Sequence, residues 1–159
     1  MLFEQGVYKI DVDLERTRQW YAAQKENNAN RCTCAGCRNY WAALSKLSPE
    51  FLSFLEKFGI DPEEPAEVSA VVSGNGKVYY DGWFHICGTI LEGKEAFVQI
   101  APRCTQVNPD YQLHIGEDYT VFFHNRIGLL GEDFPRPVIQ MEVAMYIPWV
   151  LDEKDPYEY

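Results

Sequence analysis

The spacing of apolar residues changes from a helical to a strand period across the connector "IDPEEPAE" at residues 60–67. Before it, Cys37, Tyr40, Trp41, Leu44 and Leu47 recur at intervals of three and four, which places them on one face of a helix. After it, the interval is two, the period of a half-buried strand. Helices gathered early and strands gathered late are not the alternating pattern that a parallel sheet requires. They predict an α+β fold, with an N-terminal helical segment packed on a mostly antiparallel C-terminal sheet.

The local signals place the elements. "GVYKIDV" alternates from Val7 to Val12 and reads as an opening strand. Asp13 then sits as an N-cap before "LERTRQWYAAQK", whose stripe runs through Leu14, the stem of Arg18 and Tyr21. That helix is expected to dissolve in the polar "ENNAN". Ser48, Pro49 and Glu50 form a helix start, with a capping hydroxyl, a proline in the first turn and an acid at the positive dipole end. Phe51, Leu52, Phe54, Leu55 and Phe58 should face inward, and Gly59 should close the helix in a left-handed conformation.

Beyond the connector, "EVSAVVS" and "KVYYDGWFHICGTIL" flank Gly74-Asn75-Gly76, a hairpin signal with residues suited to positive φ. "EAFVQIA" and "YTVFFH" read as further strands, and "RCTQVNPDYQLHIGEDY" between them reads as a loop-like insert. In "VIQMEVAMYIPW", Ile139, Met141, Val143, Met145 and Ile147 share one face. These assignments give one domain over 1–159, with a helical part at 13–59, a sheet part at 66–150 and an exposed acidic tail at 151–159. At 47% apolar and 14% aromatic, the chain has material for a core without disulfide staples.

The formal net charge is −10, from 24 acidic and 14 basic side chains. Such a surface repels phosphate backbones, so neither direct nucleic-acid binding nor a membrane partner is expected. The acidic pairs Glu63-Glu64 and Asp152-Glu153 read as solvated charge. The opening "MLFEQGVYKI" lacks the basic and apolar regions of a signal peptide, and no run of 18 apolar residues is present. Five cysteines, three of them crowded together, do not form a secreted disulfide pattern and point to a reducing cytoplasm.

That crowding is the stretch with chemistry in it. "RCTCAGC" places Cys32, Cys34 and Cys37 within six positions, at the entry to a helix. Thiolates at this spacing can converge on one zinc ion, with sulfur about 2.3 Å from the metal. A closed tetrahedral site needs a fourth ligand from elsewhere, and the candidates are His85, Cys87, Cys104 and His114. His85 and Cys87 fall on one face of a strand, about 6.6 Å apart, and are the preferred partners of the cluster. The metal set is therefore Cys32, Cys34, Cys37, His85 and Cys87, with Zn2+ as cofactor. A redox reading uses Cys34 and Cys37 as a C-x-x-C near a helix dipole. The remaining reading has the thiols as small buried side chains. His85, His114 and His124 are scattered, and no catalytic signature such as G-x-S-x-G, H-E-x-x-H or a phosphate loop is present.

"CTCAGCRNYW", "SPEFLSFLEKFGIDPEEPAEV" and "DGWFHICGTI" together resemble a group of small uncharacterised bacterial proteins. In that group C-x-C-x-x-C-R-N-[YF] precedes a helical segment, then "GIDP" and an aromatic strand. The resemblance covers residues 3 to 90 and fades afterwards. It implies a cytoplasmic bacterial protein and no particular activity. The expected role is that of a binding or interaction protein, with a zinc ion holding the cysteine cluster. The alternatives are a thiol-dependent or redox enzyme, and an acidic inhibitor or immunity-type protein for a basic partner.

Overall fold

The computed structural model describes residues 1–25 and 31–159, so the expected loop at 26–30 lies outside the described residues. The fold is α+β, with a largely antiparallel sheet and the helices in the N-terminal half. Strands β1 (Leu2–Gln5) and β2 (Tyr8–Val12) form a hairpin that turns at Gly6, where φ is +57°. The first of these was not legible in the sequence: it has four residues, and only Phe3 is buried. Helices α1 (Leu14–Gln24), α2 (Ala35–Ala42) and α3 (Pro49–Glu56) follow. The caps form where the sequence places them. The Asp13 carboxylate accepts from Arg16 N–H at 3.1 Å, the Ser48 hydroxyl accepts from Phe51 N–H at 3.1 Å, and Gly59 has φ +74°. Leu52, expected inward, faces solvent on α3, while Phe51, Phe54 and Leu55 face the core.

Strand β3 (Glu67–Gly74) and the long strand β4 (Lys77–Glu92) form the expected hairpin, closed at Asn75 and Gly76, both with positive φ. Strands β5 (Phe97–Ala101) and β6 (Cys104–Val107) make a separate two-stranded ribbon. Strands β7 (Leu113–Ile115), β8 (Tyr119–His124) and β9 (Val138–Pro148) complete the main sheet. The stretch read as a loop-like insert is thus partly regular. It holds β6 and β7, which are too short and too mixed in polarity to show a period of two.

Among the described residues the main sheet runs β1-β2-β4-β9-β8-β7, with β3 also on β4. The arrangement follows from the length of β4. One edge of β4 pairs with β9 from Lys77 to Cys87. The other edge is shared: β3 takes Lys77 to Trp83, and β2 takes Gly88 to Glu92. The opening strands therefore belong to the same sheet as the later ones, a correction to the picture of a sheet confined to residues 66–150.

Between the two partner strands, β4 would expose buried, unpaired backbone groups, which are costly. Helix α1 fills that gap. The Tyr21 hydroxyl donates to His85 C=O at 2.9 Å and accepts His85 N–H at 3.2 Å. One turn earlier, the Thr17 hydroxyl accepts Cys87 N–H at 3.1 Å, and Asp13 N–H donates to Cys87 C=O at 2.8 Å. The spacing of Thr17 and Tyr21, four residues on one helical face, matches two successive positions on the same side of the strand.

The core lies between one face of this sheet and the helices. Val78, Tyr80, Phe84 and Ile86 of β4 meet Ile139, Met141, Val143, Met145 and Ile147 of β9, and all are buried. Phe54 and Phe58 pack with Phe3 and Phe123, and Phe51 stacks on Tyr119 at 4.0 Å. The opposite face carries Trp83, His85, Gln140 and His124, partly covered by Phe97 of the ribbon and by Phe134.

Candidate metal centre

Helix α2 begins with a cysteine in the capping position. Cys34 is extended (φ −64°, ψ 159°), and its sulfur accepts Cys37 N–H at 3.5 Å, the role a serine or aspartate oxygen usually plays. Capping turns the chain so that the sulfurs of Cys32, Cys34 and Cys37 all lie within 4.8 Å of one another. Thiolates sharing one tetrahedral ion at about 2.3 Å lie about 3.8 Å apart, so the sulfurs would draw together by up to about 1 Å on binding one. Cys32 and Cys34 are exposed, while Cys37 is buried and lies 3.9 Å from Val68 C=O. All five cysteines are free thiols.

The residues after the third cysteine tie α2 to other parts of the chain. The Arg38 side chain donates to Thr33 C=O and forms a bidentate pair with Glu153 at 2.6 and 3.2 Å. Asn39, fully buried, donates to the Tyr80 hydroxyl and to Pro148 C=O, and accepts Val150 N–H at 2.7 Å. Tyr40 donates to Pro62 C=O, and the Trp41 indole donates to Glu63 C=O. Gly36 is pressed against β3 and the tail: a Cβ there would lie 2.6 Å from Ala70 Cβ and 2.7 Å from the Tyr157 hydroxyl. The C-terminal segment is therefore not a free tail. Glu153, expected to be solvated, holds Arg38, and Tyr157 C=O accepts Ser73 N–H at 2.9 Å.

The two cysteines of the C-x-x-C have opposite tendencies. The Cys37 N–H donated to Cys34 holds that thiol below its ordinary range, with help from the neighbouring thiols. Burial pushes the Cys37 thiol upward, and the adjacent thiols push it further. A cation bound among the three sulfurs would favour the thiolate form of each.

An open cleft of about 380 Å³ adjoins the cluster, with Cys32 and Cys37 in its wall beside Trp41, Glu63, Glu64 and Glu67. Arg31 stacks on Trp41 at 4.9 Å and pairs with Glu64 at 3.0 Å. Glu64, expected to be solvated, is mostly buried by that pair. The sequence held no signal for this wall, because its members come from two segments more than twenty positions apart.

The distant candidates stand elsewhere. His85 and Cys87 are buried, with α1 bonded to their backbone, and are not part of the three-sulfur cluster. Their strand positions were read correctly, but the gap in the β4 ladder brings Thr17 and Tyr21 against them in place of the cysteine loop. The His85 Nε2 lies 3.1 Å from Gln140 Oε1, and burial lowers the affinity of the ring for a second proton. Burial raises the Cys87 thiol. His114 meets the Thr120 hydroxyl at 3.2 Å, and Cys104 is exposed on β6. His124 Nδ1 accepts Arg126 N–H, which leaves its proton on Nε2 to be donated to Glu142 at 2.9 Å. No described helix is long and apolar enough to cross a membrane. Comparison with known protein families, curated proteins and solved structures finds no match for this chain.

Proposed function

We propose that this is a cytoplasmic binding protein whose cysteine loop holds a zinc ion through Cys32, Cys34 and Cys37. The convergence of three sulfurs within 4.8 Å carries this reading. Packing alone accounts for Cys37, which shares the face of α2 that meets β3. It does not account for Cys32 and Cys34, whose side chains are exposed. Three thiols at one point suit a soft cation, and zinc accepts thiolates without redox chemistry of its own. The ion fastens residues 32–34 to the start of α2. Elemental analysis of protein purified without chelator should find about one zinc per chain. A content below about 0.2 per chain would remove the reading.

A second reading rests on the opposed tendencies of Cys34 and Cys37. An exposed thiol with depressed pKa next to a buried one with raised pKa is the arrangement of an attacking and a resolving thiol. Alkylation kinetics separate the two readings. Thiols bound to zinc label slowly until a chelator is added, whereas a redox pair labels rapidly at Cys34 with or without chelator.

A further inference from the structure

The cluster and its cleft share two cysteines, and this contact has a chemical consequence. Three sulfurs on one ion would fill three of its four tetrahedral positions. The cleft wall contains Cys32 and Cys37, and Cys32 is exposed, so an ion on the cluster would border a solvent-open space of about 380 Å³. Sites with three protein ligands and an accessible fourth position take ligands from solution, whereas closed four-ligand sites do not. The ligand that best matches an ion already bound by three thiolates is a fourth soft donor, a thiolate.

The walls discriminate among thiols. The cleft is lined by Glu63, Glu64 and Glu67 against Arg31, whose guanidinium donates through Nη2 to Glu64 and to Glu63 C=O and lies over the Trp41 ring, while its Nε has no partner among the described residues. Three thiolates around a divalent ion would leave one net negative charge at the cluster. Such a cleft repels a ligand carrying a carboxylate and attracts one carrying an ammonium group. The Trp41 ring, whose indole N–H is tied to Glu63 C=O and which carries the Arg31 guanidinium 4.9 Å from its centre, is a fixed part of the cleft wall.

We infer that the metal held by Cys32, Cys34 and Cys37 takes a small aminothiol as its fourth ligand, with the sulfur on the metal and the ammonium group among Glu63 and Glu67. This rests on the metal reading above and names the ligand class of the same site. On binding, the thiol releases its proton to solvent, and a metal–sulfur bond takes the place of the S–H bond. No electron transfer is involved.

Cobalt(II) reports the step directly, because each added thiolate strengthens the sulfur-to-cobalt charge-transfer band. Full-length protein loaded with cobalt without oxygen is titrated with cysteamine, with mercaptopropionate and with ethanolamine. Cysteamine should intensify the band in a saturable way. Mercaptopropionate should bind about tenfold more weakly, because its carboxylate meets the acidic wall. Ethanolamine, which lacks sulfur, should leave the band unchanged. The double variant Glu63→Gln, Glu67→Gln should bring the two thiols to similar affinity while leaving cobalt uptake intact. Full cobalt uptake with a band that no thiol alters would overturn the inference, since the chain would then complete the tetrahedron itself, and the metal reading would stand. Metal-driven dimerisation abolished by Cys104→Ser would also overturn it, with a second copy supplying the fourth sulfur. A chain that takes up neither cobalt nor zinc removes both readings.

Discussion

Single hydroxyl groups carry much of the architecture around β4. Tyr21 has one oxygen and satisfies two backbone groups of His85 with it, donating to the carbonyl and accepting the amide. Both groups are buried, and no strand is available to take over. Tyr21→Phe keeps the ring and removes that oxygen. It should cost about 2–3 kcal/mol, the penalty for leaving buried polar groups unpaired, or about 4–12 °C in melting temperature for a chain of this size. A melt within 1–2 °C of the parent, on the same scale, would show that β4 closes its ladder another way. His85 itself gives an acid-side signature. Burial, opposed by the bond to Gln140, holds its ring below the ordinary imidazole value. As pH falls below about 6.5, the unfolded chain takes up a proton that the folded chain resists, so stability falls across that window. His85→Gln should flatten the fall in melting temperature between about pH 7.5 and about pH 5.5. An equal slope in both proteins would assign the acid sensitivity to other groups.

At the scale of elements, legibility followed how local each cause is. Helix caps and hairpin turns depend on a few neighbouring residues, and Asp13, Ser48, Gly59 and Asn75-Gly76 were all readable. The inner face of β9 was readable because Ile139, Met141, Val143, Met145 and Ile147 recur at every second position over nine residues. Strand β1 and the β6–β7 segment were not, because three or four residues establish no period. The cysteine loop was half readable. The C-x-C-x-x-C spacing announced the convergence of sulfurs, whereas the absence of His85 and Cys87 from the cluster depends on how α1 seats in the β4 gap, a non-local event. The β9 face also supplies a test. Val143 lies opposite Gly82 on one side and Val121 on the other, and it is buried. Val143→Asp would place a charge with no partner there and should cost more than about 3 kcal/mol. Loss of a cooperative melt, or a drop of more than about 6 °C, is the expected result. An unchanged melt would mean that β9 can shift its register.

At the scale of the whole molecule, helix α2 is where the parts meet. In five consecutive residues, Cys37 contacts β3, Arg38 holds the C-terminal segment, Asn39 joins β4 to the exit of β9, and Tyr40 and Trp41 secure the connector at Pro62 and Glu63. An ion at the N-terminal end of this helix would therefore act on more than its own loop. If the ion binds the folded chain and not the unfolded one, its removal costs RT ln(1 + [M]/Kd), about 2.7 kcal/mol at a hundredfold excess over Kd. A strong chelator should then lower the melting temperature by about 5–11 °C. A chelator can also act elsewhere, so the decisive comparison is Cys32→Ser. Cys32 is exposed and neither caps α2 nor packs in the core, so its replacement removes a ligand with little other damage. The variant should melt near the chelated parent and show no further response to chelator. In hydrogen exchange it should lose protection at Val150 N–H, which is bonded to Asn39, and at Ser73 N–H, which is bonded to Tyr157. Both amides lie far from residue 32 in sequence, so their joint loss would show that α2 transmits the state of the metal centre to the C-terminal segment. A variant that melts with the parent, with and without chelator, would confine the cysteine loop to a local role.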